Sequence, residues 1–521
     1  MTSFDVASRT LSILSPEIFL IVFATIMITL GAFFSVKRQI WSTASAVALV
    51  TALFILCAMR QPTIDPYAFV ALNDPLSLYA RIAFLVTGLI VLGLAHDQVD
   101  DSRAAEFFGS LLLMNVGAMI VAASNDIVLL FAGLELVSLP TYLLLYLSRR
   151  DAGTREAATK YFFLSIFSSA LLLFGLAYLY GLAGITNLRA LSYLIIREPS
   201  IANTALGTIA VVFVMSGLCF RVAAVPFHFY APDVYEGSPT VIAALLAWVP
   251  KGIGFLGMIR ALTTVIGGAN PIADRAIVLT WVLAAITMIL GNTLALAQRN
   301  LKRLLAYSSI AHAGYLLIGV TVAFGKNSVQ FSGIEAILFY LTSYALMTLG
   351  AFGVVIALST RERSVETIDD LAGLGSTHPA AALGMAFCLF SLAGVPPFAG
   401  FFAKFWIFAS ALSPEQVGQD SSLLWLAIIG CLNAAAGAFY YLRIIVLMYF
   451  QPAPSVPLAP KAAWPTLLAV GTCASLSLFV GLYSWPVVQA SRASAVAASA
   501  HSAPGFKQAA ARVPVRNISA R

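Results

Sequence analysis

The strongest constraint on the fold of this chain is a succession of apolar segments, each about 20 residues long, separated by short polar loops. An α-helix needs roughly 20 apolar residues to cross a bilayer core, so each segment predicts a transmembrane helix. Charged residues form 10% of the chain, whereas soluble domains carry about 25%, which excludes a soluble enzyme. The sequence predicts an all-α polytopic membrane protein with about 14 transmembrane helices. The predicted segments are 17–36, 40–59, 77–96, 107–123, 127–147, 157–182, 203–229, 240–265, 276–298, 303–324, 332–359, 380–411, 422–450 and 464–490.

Lysine and arginine are distributed unevenly between the loops. Odd-numbered loops hold twelve of them and even-numbered loops hold five. Because cytoplasmic loops are enriched in these residues, we expect odd loops in the cytoplasm and both termini in the periplasm. The same bias accounts for the net charge of +7, so no nucleic-acid partner is expected. The first apolar run lacks a basic leader and a cleavage site, and we interpret it as a first spanning helix.

The five cysteines lie singly in apolar runs, with no CxxC pair. Such cysteines are typical of small buried hydrophobic residues and not of disulfides, zinc sites or iron–sulfur ligands. We therefore expect no metal and no cofactor in this chain, and any electron carrier would belong to another chain.

Prolines lie inside several apolar segments, and two of these segments, five apart, are predicted to be interrupted. The seventh carries Arg221 shortly before Pro226, and the twelfth carries Pro396 and Pro397 before Lys404. Proline inside a helix frees backbone carbonyls that need another partner. Interrupted segments at corresponding places in two halves are typical of transporters built from repeats, with their sites near the bilayer midplane. The pattern predicts broken helices 7 and 12.

Glu135 and Arg221 are charges inside apolar segments, where charge is unfavourable. Glu135 lies eight residues after Ile127, roughly 12 Å along a helix. Arg221 is its natural partner; because a guanidinium keeps its proton, it could act as an electrostatic gate for Glu135. The alternatives are a structural glutamate beside the backbone gap at Pro140 and an arginine that extends to the membrane interface.

Lys251 and Lys404 each stand alone among apolar residues. Burial disfavours the charged form of lysine, so such a group is able to take up and release a proton. His312, in LKRLLAYSSIAHAGYLLIG, could relay a proton between the two lysines, or it could be a packing residue. The candidate site is therefore Glu135, Arg221, Lys251, His312 and Lys404.

Other charged residues suggest structural roles. We expect the loop carboxylates Asp233 and Glu236 to cap turns, since Pro, Gly and Ser surround them. Glu156 and Lys160 are four residues apart and are expected to pair at a helix end. Glu335 is expected near the membrane interface.

Four stretches carry a family resemblance: FRVAAVPFHFYAPDVYEGSPT, LAWVPKGIGF, QRNLKRLLAYSSIAHAGYLLIG and LAGVPPFAGFFAKFWIF. They resemble the antiporter-like membrane subunits of proton-pumping NADH:quinone oxidoreductase, respiratory complex I, over about residues 70–450. The string PDVYEGSP and a lysine at position 404 are more similar to the N-type subunits than to the L and M types, and the lack of a long C-terminal lateral helix argues against the L type.

The resemblance implies two inverted five-helix repeats. Residues 106–265 would form the first repeat, with helices 4–8, and residues 276–450 the second, with helices 9–13. Helices 1–3 would occupy residues 1–105 and helix 14 residues 464–490. The Ala/Ser-rich tail, residues 491–521, is expected to be disordered.

The resemblance also implies proton translocation driven by NADH oxidation and quinone reduction in other subunits of a bacterial inner-membrane complex. NADH, FMN, iron–sulfur clusters and quinone would bind there, and the expected neighbours are the antiporter-like subunit M and the small subunits K and J. Glu135, Lys251 and Lys404 fall on the family's helix-5 glutamate, helix-8 lysine and helix-12 lysine. Arg221 stands where the family usually has lysine, so we expect it to tune Glu135 and not to carry protons.

Two other functions remain open. A subunit of a multi-subunit cation/proton antiporter would need an acidic Na⁺ site, for which Glu135 is the one defensible mid-membrane carboxylate. A non-pumping structural membrane subunit would need none of these charges for turnover.

Overall fold

The computed structural model describes residues 3–59, 66–148, 152–263, 271–325, 332–360, 364–413, 421–453 and 462–498. Within these ranges the chain is almost entirely helical, without β-strands beyond isolated bridges. The first helices are α1 (Ser3–Ile13), α2 (Ser15–Phe33), α3 (Arg38–Ala58), α4 (Pro75–Ala95), α5 (Ala104–Ala123), α6 (Ile127–Ser148), α7 (Ala152–Ala183), α8 (Leu188–Arg197), α9 (Pro199–Ala202), α10 (Ala205–Val222), α11 (Tyr230–Gly237) and α12 (Thr240–Gly257), which continues as a π-helical turn, Met258–Thr263. The remaining helices are α13 (Pro271–Leu296), α14 (Leu301–Phe324), α15 (Gly333–Leu358), α16 (Leu374–Thr377), α17 (Pro379–Ala393), α18 (Ala399–Ala411), α19 (Ser422–Phe450), α20 (Trp464–Leu482) and α21 (Trp485–Ala498).

The number of spanning helices agrees with the apolar pattern. Thirteen helices of the described chain are long and apolar enough to cross a membrane, and α17 and α18 are shorter apolar helices that follow one another. Together α17 and α18 occupy the predicted twelfth segment. The predicted fold class, an all-α polytopic membrane protein, is confirmed.

Both predicted breaks are present, and they have the same backbone form. After α10, Ala223 adopts a left-handed φ of 57°, and after α17, Gly394 adopts a φ of 86°. Each is followed by a residue whose N–H donates to a carbonyl five residues back: Ala224 to Cys219 at 2.9 Å, and Val395 to Phe390 at 3.0 Å. This closure is typical of a helix C-terminus, so both helices end inside their apolar segments.

Short loop pairings repeat along the chain. Asp126, before α6, forms an antiparallel bridge with Asn187, and Asn300, before α14, forms one with Thr367. The helices α6 and α14 are five spanning segments apart. Because five is odd, these two loops would lie on opposite membrane faces; the two inverted repeats stay a prediction.

Lys251 and its hydrogen-bond partners lie on deeply buried helices. Every residue of α12 after Thr240 is buried, and α14 and α15 are buried over most of their length. Large apolar side chains of α3, α7 and α19 are exposed instead, including Phe54, Phe163 and Phe439, as expected for surfaces that face lipid or neighbouring subunits. Cys57 and Cys431 are also exposed there, which corrects the expectation that all five cysteines are buried; an apolar thiol is equally suited to a lipid-facing position.

The C-terminal region differs from its prediction in two ways. The segment 464–490 is divided into α20 and α21, because Pro486 has no N–H to donate to the Leu482 carbonyl. Residues 491–498, expected to be disordered, are helical: Ser491 Oγ donates to Tyr79 Oη at 3.2 Å and Ser494 Oγ donates to the Pro75 carbonyl at 3.1 Å. Small side chains allow this close contact with α4 although they form no apolar pattern. Residues 499–521 of the predicted tail lie outside the described residues.

Candidate functional site

The first group of buried polar residues, which we call the Glu135 cluster, consists of Glu135, Ser138, Ser169 and Arg221. Arg221 Nη2, from α10, lies 2.7 Å from Glu135 Oε1 of α6. Ser169 Oγ of α7 donates to the same oxygen at 2.5 Å, and Arg221 also donates to the hydroxyls of Ser138 and of Ser169, the latter at 3.2 Å. The Arg221 side chain is 1% exposed and that of Glu135 is 27% exposed. The cluster is therefore an ion pair whose charges are surrounded by hydroxyls.

The second group, which we call the lysine cluster, begins at Lys251 of α12. Its Nζ donates to the carbonyl of Ser309 in α14 and to Ser309 Oγ at 2.6 Å, and it lies 3.4 Å from Tyr344 Oη of α15. Tyr344 Oη donates to Ser309 Oγ at 2.8 Å, and its ring centroid is 4.6 Å from Lys251 Nζ. Among the described residues Lys251 forms no ion pair, so its acceptors are all neutral.

His312 belongs to the lysine cluster and is one turn along α14 from Ser309. Its ring centroid is 5.2 Å from that of Tyr344. Its Nδ1 is 2.7 Å from Tyr340 Oη and its Nε2 is 3.1 Å from Tyr441 Oη. Since both ring nitrogens have hydroxyl partners that donate or accept, either neutral tautomer of the imidazole is satisfied.

Lys404 of α18 completes the lysine cluster at the second helix break. Its Nζ donates to the carbonyls of Leu392 at 3.0 Å and Ala393 at 2.8 Å, which the end of α17 leaves free. A helix C-terminus carries partial negative charge, which favours a cation there. A Cβ at Gly394 would lie 3.0 Å from Lys404 Cδ, so this glycine gives the lysine room. Tyr315 lies between Lys404 and His312. Its ring centroid is 5.4 Å from Lys404 Nζ and 5.8 Å from the centroid of the His312 ring.

The structure therefore arranges the five predicted residues in two groups. Glu135 and Arg221 are in direct contact, and His312 lies between Lys251 and Lys404 through aromatic neighbours. Within the described chain no hydrogen bond joins a member of the Glu135 cluster to a member of the lysine cluster.

Comparisons with known proteins identify the family of this chain. The family model described as NADH:quinone oxidoreductase/Mrp antiporter, TM, matches residues 124–435. The chain belongs to this family.

Individual relatives extend the match to nearly the whole chain. NADH-quinone oxidoreductase subunit N of Trichlorobacter lovleyi is 37% identical over 484 residues, which is 92% of this chain and 96% of the relative. Subunit N of Rhodospirillum rubrum is 37% identical over 477 residues, 89% of this chain and 93% of the relative. The resemblance to the N-type antiporter-like subunits is thus confirmed.

Solved structures show the same fold. A chain of respiratory complex I from Thermus thermophilus superposes with a TM-score of 0.74 at 30% identity, covering 92% of this chain and 99% of that one. A chain of the Mrp complex from Dietzia superposes with a TM-score of 0.78 at 18% identity, covering 95% and 99%; at that identity the likeness shows the fold alone.

The two clusters lie at matching distances along the chain from the loop bridges of Asp126 and Asn300. Counted from Asp126 and Asn300, Glu135 of α6 corresponds to Ser309 of α14, and Ser138 to His312. The cations are not equivalent, since Arg221 precedes the break after α10 whereas Lys404 follows the break after α17.

The loop carboxylates have a role other than the predicted one. Asp233 pairs with Lys160 at 2.8 Å and with Arg303 at 2.9 Å, and Glu236 pairs with Arg303 at 2.7 Å. The expectation that they cap turns is wrong, because α11 lies beside α7 and α14 and so meets their cations. Burial raises the pKa of Asp233, but hydrogen bonds from Lys160 and Arg303 outweigh it and hold that pKa below 3.8. The predicted Glu156–Lys160 pair is confirmed at 2.7 Å.

Two buried ion pairs escaped the sequence analysis. Arg81 Nε lies 2.8 Å from Glu17 Oε1, and Arg260 forms a two-pronged pair with Asp74 at 2.7 and 2.8 Å. Both arginines lie in apolar segments, so the signal that identified Arg221 applied to them as well. No group of three or more His, Cys, Asp or Glu that could hold a metal occurs in the described ranges.

Proposed function

We propose that this chain translocates protons in the membrane arm of an NADH:quinone oxidoreductase. Lys251, His312 and Lys404 carry the protons, and the Glu135–Arg221 pair tunes the field in which they move. The observation that carries the proposal is the lysine cluster, in which two buried cations have only neutral oxygen acceptors.

The neutral surroundings of Lys251 suit proton transfer. A lysine paired with a carboxylate would be held charged, whereas burial among hydroxyls and carbonyls leaves both protonation states accessible. Ser309 and Tyr344 are able to accept and to donate hydrogen bonds, so they remain satisfied when Lys251 changes its charge.

His312 is placed to pass a proton between the lysines. Its two nitrogens face Tyr340 and Tyr441, and the ring packs between Tyr344, which contacts Lys251, and Tyr315, which contacts Lys404. Rotation of the Tyr340 and Tyr441 hydroxyls is sufficient to reverse the direction of the hydrogen bonds to the His312 ring.

The Glu135 cluster is suited to electrostatic control. Its arginine keeps its proton, so the pair presents a fixed dipole unless the two groups separate. Moving one proton against 100 mV requires about 2.3 kcal/mol, and two unit charges 4 Å apart interact by about 4 kcal/mol at an effective dielectric constant of 20. The free energy involved in opening or closing one ion pair is therefore comparable to the free energy needed to move one proton across the membrane.

The energy for transport comes from partner subunits. NADH, FMN, iron–sulfur clusters and quinone bind there, and this chain lies beside the antiporter-like subunit M and the small subunits K and J. It lies in the bacterial inner membrane with odd-numbered loops in the cytoplasm and both termini in the periplasm. The matches to NADH-quinone oxidoreductase subunit N and to complex I support this assignment.

Sodium transport is less well supported by the same geometry. A Na⁺ site needs free carboxylate oxygens, and Glu135 is engaged by Arg221 and Ser169. We therefore do not propose a cation/proton antiporter.

The test is Lys251→Ala and Lys404→Ala in membranes that contain normal amounts of the assembled complex. We expect both variants to lose NADH-driven proton pumping, because each removes a proton carrier. Normal pumping in both would overturn the proposal and favour a structural subunit, and Na⁺-dependent transport in vesicles without quinone would favour an antiporter.

A further inference from the structure

Arg260 joins three helices at the end of α12 opposite to α11. It lies in the π-helical turn that continues α12. Its Nη1 and Nη2 donate to the two carboxylate oxygens of Asp74 at 2.8 and 2.7 Å, and its Nη2 and Nε donate to the Ala122 carbonyl at 2.8 and 3.2 Å. The guanidinium thus fixes the end of α12 to the start of α4 and the end of α5.

Asp74 is itself held in place. It is the N-cap of α4 and accepts a hydrogen bond from the Ser77 N–H at 2.8 Å. Burial raises its pKa, but the charge and hydrogen bonds of Arg260, the Ser77 N–H and the charge of Arg189 together outweigh burial and hold that pKa below its usual value. The carboxylate is therefore ionised at neutral pH, and the contact with Arg260 persists throughout the physiological range.

The part of α12 around Lys251 is poor in helix-stabilising residues. It contains Pro250, Gly252 and Gly254, and a helix-interior proline costs about 3 kcal/mol and a glycine about 1 kcal/mol relative to alanine. A Cβ at Gly254 would lie 2.5 Å from Val222 Cγ1, so the glycines permit close approach of neighbouring helices. The Trp248 indole, which donates to Thr87 Oγ1 of α4 at 2.9 Å, anchors the helix before Lys251, and Arg260 anchors it after Lys251.

Lys251 precedes Arg260 by nine residues on this same helix, roughly 13 Å along its axis. We propose that Arg260 and Asp74 are a positioning clamp that sets the axial position and rotation of α12, so that Lys251 reaches Ser309 and Tyr344. The π-helical turn contributes, because its wider turn determines the angle between the Arg260 and Lys251 side chains. This inference rests on the proposed role of Lys251 in proton transfer and adds two residues that act through it.

The decisive variant is the double substitution Asp74→Asn/Arg260→Leu in the full complex. It removes both charges together and so leaves no unpaired buried ion, the usual cause of misfolding when one partner is deleted. We expect normal amounts of complex, with protons pumped per NADH falling toward the value of Lys251→Ala. Arg260→Lys keeps a cation beside Asp74 but loses the second prong and the full contact with Ala122, and we expect pumping between those of the double variant and the unmodified protein.

A matched control is Glu17→Gln/Arg81→Leu, which neutralises another buried pair and removes no hydrogen bond to α12. We expect its protons per NADH to be unchanged. If Asp74→Asn/Arg260→Leu pumps like the unmodified protein while Lys251→Ala does not, the clamp is refuted and the proposed function stands. If Lys251→Ala also pumps normally, the proposed function itself fails. Should the double variant fail to accumulate, Arg260→Lys decides: unmodified pumping refutes the clamp, and reduced pumping at normal complex levels supports it.

Discussion

The Glu135 cluster and the lysine cluster solve the burial of a cation in opposite ways. Arg221 has a carboxylate at 2.7 Å, so its charge is compensated by another charge. Lys251 and Lys404 have hydroxyls, carbonyls and aromatic rings. The first arrangement favours one charge state, whereas the second leaves a group free to change state. The difference teaches that the neutral or charged character of its partners decides whether a buried cation is held in one charge state.

Corresponding positions in α6 and α14 carry this difference. Glu135 and Ser309 follow the bridge residues Asp126 and Asn300 by the same number of residues, and each is an acceptor for a buried cation. On the predicted repeats, the same place would accept a cation contact twice, and the acceptor chemistry at that place would decide whether the contact is an ion pair or a neutral hydrogen bond.

Lys251→Arg gives the largest expected effect on this comparison. Arginine keeps the charge but does not release its proton, so it would convert the lysine cluster into a second fixed cation. We expect coupled NADH oxidation to fall by an order of magnitude or more, since proton-transferring side chains contribute about 10²–10⁴-fold to rates. The measurement is NADH-driven proton pumping at equal complex content. An active Lys251→Arg would show that Lys251 acts only as a charge, and the distinction between the clusters would be lost.

Arg221→Ala is expected to have the next largest effect. Removing one partner of a buried ion pair costs about 3–5 kcal/mol, and the partial exposure of Glu135 places this case toward the lower value. We expect less assembled complex and severalfold lower turnover. The double variant Glu135→Gln/Arg221→Ala should restore the amount of complex, measured on native gels, but not the turnover. A fully active Arg221→Ala would refute the electrostatic role.

The spanning helices and the breaks were predictable because their signals are local. Twenty apolar residues and a proline within them carry the information in one short window, as Pro226 and Pro397 illustrate. The buried charges were also recognisable from a short window of sequence, since Glu135 and Lys251 stand out from the apolar residues around them. The functional roles of these residues stay predictions.

The partners of those charges were not predictable. Ser138, Ser169 and Ser309 are hydroxyls of a kind that recurs throughout the chain, and only the packing of distant helices selects these three. The helical part of the tail, residues 491–498, escaped prediction for a related reason: its small side chains gain stability from contact with α4 and not from an apolar pattern.

His312→Asn tests the connection between the two lysines. Asparagine keeps hydrogen-bonding groups but cannot exchange a proton near neutral pH, so the row between Lys251 and Lys404 would be interrupted. Loss of one hydrogen bond costs about 0.5–1.5 kcal/mol, so disruption of the Tyr340 or Tyr441 contact alone corresponds to about a fivefold effect. We expect proton pumping to fall by at least this factor while the complex assembles normally. Unchanged pumping would make His312 a packing residue, as in the alternative interpretation of its sequence.

Arg221→Lys should have the smallest effect. It separates the role of positive charge in the Glu135 cluster from the role of the hydrogen bonds that arginine forms there. Lysine is the residue that the family resemblance implies for this position. It retains the positive charge beside Glu135 but loses the planar fork that reaches Ser138 and Ser169. If charge alone is what the Glu135 cluster needs, turnover stays within about twofold, because the ion pair persists and only neutral hydrogen bonds are lost. The measurement is coupled NADH oxidation beside that of Arg221→Ala at equal complex content. Equal losses in the two variants would mean that the fork geometry matters, and that the cluster acts by holding α6, α7 and α10 together instead of by its field.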